Sequence, residues 1–211
     1  MTTWLHEQRL EAARQEVLDA DARSVLDLGC GDGDLLVRLA AEPAIARLVG
    51  IDICPASLER LRVRLQKQPV MAGNIELRCA SMTEGDPDLK GFDCAVLIET
   101  IEHIDPANLS RLERAVFGQM RPRRVIITTP NAEFNPLLGV PPHRFRHPDH
   151  RFEWSRARFR SWARRVAATW RYEVKFRDIA GAHPDLGGAS QMASFCGKDG
   201  CQHPGRSVNM N

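Results

Sequence analysis

The sequence predicts an α/β fold in which a mostly parallel, twisted sheet has helices on both faces and an antiparallel strand near its C-terminus. Apolar runs that read as strands alternate with helical patterns through the first 130 residues, and this alternation is typical of a parallel sheet. Two closing strand-like runs follow the last predicted helix. The length of 211 residues suits one domain that buries about 70% of the surface of its unfolded chain.

Local spacing predicts each element in turn. Apolar residues at helical spacing predict the helices, and short apolar runs bounded by turn residues predict the strands. The predicted helices cover residues 4–19, 34–42, 57–68, 109–120 and 155–169. The predicted strands cover residues 25–29, 47–53, 75–81, 92–98, 123–129, 172–179 and 189–195.

One long segment interrupts the alternation. Residues 131–151 are rich in Pro, Arg and His, and a connection of this length inside a compact domain is usually functional. We therefore expect a single domain over residues 1–196, with a functional loop insertion at about 131–154. The tail at 197–211 is predicted to be disordered.

Composition argues against membrane-spanning and secreted classes of protein. No apolar run approaches the roughly 20 residues of a membrane span, and the N-terminus has no signal-peptide pattern. Four cysteines lie in or next to predicted strands, where free cysteine behaves as a small apolar residue: Cys30, Cys54, Cys79 and Cys94. Cys196, Cys201 and His203 are too weak a pattern to predict a metal site. With no disulfide framework visible, a reduced cytoplasmic location is expected.

A glycine-rich turn follows the first predicted strand. Gly29, Gly31 and Gly33 let the backbone turn sharply and pass close to a ligand. Asp52 ends the next strand 21 residues after Gly31, where an acidic side chain can accept hydrogen bonds from a ribose. The spacing predicts a nucleoside-containing cofactor.

The acidic residues around this turn argue against a dinucleotide. Asp34 occupies the position where the dinucleotide fingerprint has its third glycine. Asp27, Asp32 and Asp34 crowd the helix N-terminus that a pyrophosphate would occupy, and like charges would repel it. An acidic rim suits a cofactor with cationic groups, and S-adenosylmethionine carries a sulfonium and an ammonium.

The stretch IETIEHID at 98–105 follows a run that reads as a buried strand. Glu99, Glu102 and His103 have the i, i+3, i+4 spacing that places three side chains on one face of a helical turn. Two carboxylates and an imidazole there are costly unless a cation binds between them. The pattern predicts a divalent metal site whose fourth ligand comes from the loop at His143, His147 or His150. His150, next to RFEW at 151–154, is expected to be the best anchored.

Two levels of family resemblance follow from these motifs. VLDLGCGDG at 25–33 and GID at 50–52 resemble the first two motifs of the Rossmann-like class I S-adenosylmethionine-dependent methyltransferases. The IETIEH stretch, TTPNAEFN at 128–135 and RHPDHRFEW at 146–154 resemble the Hen-type small-RNA 3′-terminal ribose 2′-O-methyltransferases. LHEQRLEA at 5–12 and ASQMASF at 189–195 extend this resemblance over residues 4–196.

The resemblance implies a set of site residues. Its implied metal ligands, which are also the catalytic residues, are Glu99, Glu102, His103 and His150, with Mn²⁺ or Mg²⁺ as the ion. The cofactor residues are Asp27, Gly29, Gly31, Asp52, Ser81 and Met82. His143 and His147 do not match ligand positions and are left as RNA-contact or loop residues. Pro130 and Asn131 resemble the family's TPN turn and are expected to shape the nucleotide pocket.

Basic residues concentrate between residues 144 and 171. Arg144, Arg146 and Arg151 flank the proposed ligand His150, so we expect them to contact RNA phosphates. Phe145 has two readings, stacking on a terminal base or packing in the core. Phe152 and Trp154 are expected to pack the loop against the core.

The implied reaction is metal-dependent methyl transfer to the 2′-hydroxyl of the 3′-terminal ribose of RNA. A metal that chelates the vicinal 2′- and 3′-hydroxyls would lower the pKa of the 2′-hydroxyl and fix its geometry, with His103 or a metal-bound water taking the proton. An internal nucleotide has no free 3′-hydroxyl and DNA has no 2′-hydroxyl, so the substrate would be an RNA 3′ end.

Other readings stay open at this point. A metal-dependent O-methyltransferase that acts on small catechol-like diols would also bind two vicinal hydroxyls at its metal. A non-catalytic RNA-binding module would share the basic loop. The RNA could be a small regulatory RNA or a cleaved tRNA, the latter with a polynucleotide kinase-phosphatase-ligase repair partner. No membrane partner is expected, and a monomer is predicted.

Overall fold

The computed structural model describes residues 4–198, and within them one seven-stranded sheet forms the centre of the molecule. Its strands are β1 (Ser24–Leu28), β2 (Arg47–Asp52), β3 (Asn74–Cys79), β4 (Cys94–Ile98), β5 (Arg124–Pro130), β6 (Tyr172–Ile179) and β7 (Ser190–Gly197). Their order is β3-β2-β1-β4-β5-β7-β6. β7 pairs antiparallel with both β5 and β6, whereas the other neighbours are parallel. The predicted fold class is confirmed.

The helices also lie close to their predicted positions. They are α1 (Trp4–Leu18), α2 (Leu36–Ala40), α3 (Pro55–Gln66), α4 (Leu109–Glu113) and α5 (Arg156–Trp170). The helix predicted at 109–120 begins as α4 and continues as a π-helical stretch over Arg114–Met120. Within the described chain, no helix combines the length and the apolar character that crossing a membrane requires.

Helices cover both faces of the sheet. Successive side chains of a strand point to opposite faces, so neighbouring residues enter different apolar layers. Val25 belongs to the apolar layer under α1, α2 and α3, whereas Leu26 belongs to the layer under α4 and α5. Both side chains are fully buried, and burying a side chain of this size contributes roughly 1.5–3 kcal/mol. The continuous apolar strands are therefore what fix the sheet between two helical layers.

The strand order places the candidate site. The chain runs outward from β1 to β3, then returns to place β4 on the other side of β1. Ligands bind in open α/β sheets beyond the carboxyl ends of the strands where this reversal occurs. The glycine turn after β1 and the segment after β4 meet at that point.

The cysteines and the chain end differ partly from expectation. Cys30, Cys54, Cys79 and Cys94 are free, as predicted, but Cys196 is disulfide-bonded, which the sequence analysis did not foresee. β7 continues through Gly197, so the predicted tail begins too early. The rest of the predicted tail, with Cys201 and His203, lies outside the described residues.

Candidate active site

The glycine turn is built by close approach to the segment after β4. Gly29 has φ +79°, and a Cβ there would lie 2.3 Å from Cγ2 of Thr100, so only glycine fits without displacing that side chain. Thr100 lies between Glu99 and Glu102 in the sequence. The turn and the predicted metal-binding segment are thus in direct contact.

Backbone amides fix Asp52 at the end of β2. Its Oδ2 accepts a hydrogen bond from the Gly31 amide and its Oδ1 accepts one from the Cys54 amide, both at 2.8 Å. Carboxylate oxygens can accept further hydrogen bonds. The side chain is therefore held in a fixed orientation in which it could receive the hydroxyls of a ribose, and this role stays a prediction.

Asp27 is a buried acid with an unmatched oxygen. It is 3% exposed, and its Oδ2 has no hydrogen-bond partner among the described residues. Burial, and secondarily the charge of Asp52, raises the pKa of Asp27 to about 7. An unpaired buried carboxylate is costly, so this position fits a cationic group such as the ammonium of S-adenosylmethionine.

The other two acids of the predicted rim have a different role. Asp32 accepts hydrogen bonds from Nε and Nη2 of Arg60, and this contact lowers the pKa of Asp32. Asp34 accepts a hydrogen bond from Nη1 of Arg64 at 2.7 Å. Both arginines come from α3. The sequence showed that this helix is basic, but it did not show which acids its arginines contact. Of the three acids expected to form the rim, Asp32 and Asp34 are therefore paired with arginines, and Asp27 is the one with no arginine partner among the described residues.

Ser81 and Met82 follow β3 on the same edge of the sheet. Both side chains are half-buried; Oγ of Ser81 lies 2.8 Å from Oγ1 of Thr83, and Met82 packs against the apolar layer under α4 and α5. Their assignment to the cofactor stays a prediction.

Glu99 does not lie on a helical turn. Its φ is +51°, and the short 3₁₀ helix that follows covers only Ile101–His103. The expectation that Glu99, Glu102 and His103 share one face of a helix is wrong, because the chain leaves β4 through a left-handed residue before it coils. Strained backbone of this kind costs roughly 1–3 kcal/mol and is common at functional sites.

Polar groups from three other elements hold the carboxylate of Glu99. Oε1 accepts a hydrogen bond from the Thr128 hydroxyl at 3.0 Å. Oε2 accepts one from the Ser190 hydroxyl at 3.2 Å and lies 3.4 Å from Nη1 of Arg9. None of these three residues was predicted as part of the site, because they come from β5, β7 and α1.

Glu102 is the second buried acid with an unmatched oxygen. Its side chain is completely inaccessible; Oε2 accepts a hydrogen bond from the Thr129 hydroxyl, and Oε1 has no partner among the described residues. Burial and the nearby charge of Glu99 raise the pKa of Glu102 well above its usual value. A cation bound at Oε1 would relieve this cost, so the donor set fits a divalent metal.

Three imidazoles gather where the 3₁₀ turn meets the loop. The ring centroids of His103 and His150 are 4.8 Å apart, and His147 lies 5.9 Å and 5.6 Å from them. One nitrogen of each ring lies within 4.8 Å of the others, while the carboxylates of Glu99 and Glu102 stand outside this group of described residues. Burial lowers the pKa of His103, which favours the neutral imidazole that binds metals. The sequence pattern had offered His147 as one of three possible fourth ligands, and the family resemblance then left it out.

Glu153 orients His150. Its Oε1 lies 2.6 Å from Nδ1 of His150, an arrangement that directs the other ring nitrogen toward a ligand. The carboxylate also accepts hydrogen bonds from the Arg146 amide and from Nδ2 of Asn135. Glu153 was missed as a functional residue, although its i+3 spacing from a predicted ligand was a usable signal.

Arg146 anchors the loop. Its guanidinium donates to Oδ1 of Asn135, to the carbonyl of Ala189 and to the carbonyl of Asn131. Each of its three nitrogens therefore makes a hydrogen bond within the protein, which gives Arg146 a structural role that the sequence did not predict. Its phosphate contact stays a prediction.

Pro130 and Asn131 also have structural roles. Asn131 is fully buried; its Nδ2 donates to the carbonyls of Leu186 and Gly188, and its Oδ1 accepts from the Glu133 amide. Pro130 is buried too, and its carbonyl accepts a hydrogen bond from Gln191. Buried residues held in this way can shape a neighbouring pocket from below, and the assignment of Pro130 and Asn131 to RNA binding stays a prediction.

The loop still presents basic and aromatic groups. Arg144 and Arg151 are exposed, and Phe145 is 46% exposed, which favours its stacking role over a core role. Phe152 and Trp154 are buried and stack with ring centroids 4.2 Å apart, so their predicted packing role is confirmed. The anchored loop thus presents Phe145, Arg144 and Arg151 to solvent.

Comparisons with known proteins agree with this geometry. A family model described as a methyltransferase domain matches residues 25–123. The small RNA 2′-O-methyltransferase of Gallus gallus is 39% identical over 208 residues, which are 92% of this chain and 54% of that protein. The chain therefore spans about half the length of the curated relatives it matches.

Solved structures extend the comparison. The methyltransferase domain of a bacterial Hen1 is 35% identical and has a TM-score of 0.81, with 91% of this chain and 99% of that chain covered. The small RNA methyltransferase HEN1 is 32% identical with a TM-score of 0.83, covering 94% of this chain and 26% of that one. The chain belongs to the Hen1 methyltransferase family.

Proposed function

We propose that this protein transfers a methyl group from S-adenosylmethionine to the 2′-hydroxyl of the 3′-terminal ribose of RNA, with the help of a divalent metal ion. The observation that carries the proposal is a pair of buried carboxylates, Asp27 and Glu102, each with one oxygen that has no hydrogen-bond partner among the described residues. Asp27 lies in the glycine-turn half, and Glu102 lies in the 3₁₀ turn next to His103. The Gly29–Thr100 contact joins these halves. Relatives named small RNA 2′-O-methyltransferase support the assignment.

The cofactor side is formed by Asp27, Asp52 and the glycine turn. Asp27 supplies a negative charge at a buried position that suits an ammonium, and Asp52 offers oxygens already aligned by the Gly31 and Cys54 amides. S-adenosylmethionine supplies an electrophilic methyl on a sulfonium. Ser81 and Met82 complete the predicted cofactor set from the end of β3.

The metal side is formed by Glu99, Glu102, His103 and His150. A divalent ion such as Mn²⁺ or Mg²⁺ would supply Lewis acidity and open positions that suit two vicinal hydroxyls. The chain holds Glu99 through Thr128 and Ser190, and holds His150 through Glu153. These contacts fix the ligands before substrate arrives, which lowers the cost of ordering them.

The proposed reaction moves one methyl group and releases one proton. The bond from oxygen to the methyl carbon forms as the sulfur–methyl bond breaks, leaving S-adenosylhomocysteine, an ether and one proton. The neutral imidazole of His103 is the side chain proposed to accept this proton.

The exposed part of the loop would bind the RNA end. Arg144 and Arg151 can contact phosphates, and Phe145 can stack on a base without selecting its identity. Whether the RNA is a small regulatory RNA or a cleaved tRNA with a kinase-phosphatase-ligase partner stays a prediction, as do the monomeric state and the cytoplasmic location.

The test is transfer of a labelled methyl group to a short RNA, with Mn²⁺, with Mg²⁺ and with chelator. Matched RNAs ending in a 2′-deoxy or a 3′-deoxy nucleotide serve as controls. We expect metal-dependent labelling of the unmodified end alone. Equal labelling of the 3′-deoxy end would contradict the need for both hydroxyls. No labelling of any RNA, together with methylation of a catechol-like diol, would favour the small-molecule alternative.

A further inference from the structure

The structure places His147, which lies outside the predicted ligand set, in one group with His103 and His150. One nitrogen from each of the three rings lies within 4.8 Å of the others. We propose that His147 is a direct metal ligand and that the three rings form a nitrogen face that binds borderline transition metals such as Zn²⁺ or Co²⁺. The inference concerns the metal site of the proposed function and deepens it.

Backbone contacts bring the three rings together. The Arg151 amide donates to the carbonyl of Glu102 at 2.7 Å, which ties the loop carrying His150 to the 3₁₀ turn carrying His103. The His150 amide donates to the carbonyl of His147 at 3.2 Å, so these two histidines belong to one tight turn. The grouping is therefore a consequence of main-chain geometry, which single side-chain substitutions in the turn should preserve.

His147 has the freedom that a metal ligand needs here. Its side chain is 54% exposed and lies 3.8 Å from Oδ2 of Asp149, and its Nδ1 takes only a 3.2 Å hydrogen bond from the Asp149 amide. Nitrogens that share one ion at bond lengths of about 2.0–2.1 Å are at most about 4.2 Å apart. The 4.8 Å limit of the group exceeds this by about 0.6 Å, so the rings must draw slightly closer when they share an ion.

Ligand chemistry then predicts which ions the nitrogen face prefers. Imidazole nitrogens suit Zn²⁺ and Co²⁺, whereas Mg²⁺ prefers oxygen ligands and retains water. A third imidazole should therefore strengthen Co²⁺ and Zn²⁺ binding and leave Mg²⁺ binding nearly unchanged. His147 would in this way set the metal preference of the site.

The test is a Co²⁺ titration of the full chain, followed by visible absorption, without RNA or S-adenosylmethionine. His143 is the matched control because it is an exposed histidine of the same loop that lies outside the group. We expect His147→Ala to weaken Co²⁺ binding about tenfold or more, and His143→Ala to leave it unchanged. Equal affinities in both variants would overturn the inference.

A second pair of variants reports on coordination itself. With Co²⁺ bound, His147→Cys should show a thiolate-to-cobalt charge-transfer band in its difference spectrum against the unsubstituted protein, and His143→Cys should not. Absence of the band in His147→Cys would also overturn the inference. Methyl transfer is assayed separately: if the unsubstituted protein methylates RNA, the proposed function stands even when His147 proves not to bind metal.

Discussion

The two halves of the candidate site are built in different ways. The cofactor half is local, since the glycine turn and Asp52 are joined by short backbone hydrogen bonds between neighbouring strand ends. The metal half is assembled from distant segments, because Glu99 is held by Arg9, Thr128 and Ser190. Substitutions in the first half should therefore act locally, and those in the second should act through the loop and its anchors.

The largest expected effect tests the metal half alone. Glu102→Gln removes the charge that faces the proposed ion, so methyl transfer should fall at least about 1000-fold, with cofactor affinity unchanged. The stability of chelator-treated protein should not fall, because the lost carboxylate is under-partnered. Glu113→Gln is the matched control, since Glu113 is a buried acid bonded to Trp162 and Arg165. Glu113→Gln should lower the free energy of unfolding and leave methyl transfer unchanged. An equal loss of methyl transfer in both variants would contradict the assignment of Glu102 to the metal half.

The second effect tests the cofactor half through pH. Burial raises the pKa of Asp27 from 3.8 to about 7, so the native protein binds this proton more tightly than the unfolded chain. Stability of the cofactor-free protein should fall as pH rises from about 4 to about 7, by up to roughly 4 kcal/mol. Asp27→Asn should remove that slope in urea unfolding at about pH 5 and about pH 8. Parallel profiles for the two proteins would contradict the assignment.

The third effect compares two arginines of the same loop. Arg146→Ala removes three donors that serve Asn135, Ala189 and Asn131, so the free energy of unfolding should fall by about 3 kcal/mol. Arg144→Ala, at an exposed position, should change it by less than about 0.5 kcal/mol. Instead, Arg144→Ala should weaken RNA binding and reduce its salt slope by about one. A salt slope equal to that of the unsubstituted protein would remove Arg144 from the RNA contacts.

The smallest effect concerns orientation of a ligand. Glu153→Gln weakens the hydrogen bond that directs His150, so metal affinity should fall about 10- to 100-fold, measured by calorimetry with Mn²⁺. Asp149→Asn is the control, because the Asp149 carboxylate is exposed and lies 3.8 Å from Nδ1 of His147, which is too far for a hydrogen bond. If both variants bind Mn²⁺ like the unsubstituted protein, Glu153 has only a packing role.

The sequence by itself determined the fold and the local half of the site. Alternating strand and helix patterns predict the parallel sheet, because burial on both faces demands continuous apolar strands. The glycine turn and Asp52 were predictable because their chemistry depends on short spacing along the chain. Glu99, Glu102 and His103 were found for the same reason, although their helical geometry was wrong.

Only the tertiary structure decided the roles of groups whose partners are far apart in sequence. It showed that Arg146, Pro130 and Asn131 have structural roles, because their hydrogen bonds reach the start of β7 and the segment before it. It paired Asp32 with α3 and brought His147 to His103. Charge and residue type are readable from a sequence, but which of these groups remains free depends on long-range packing.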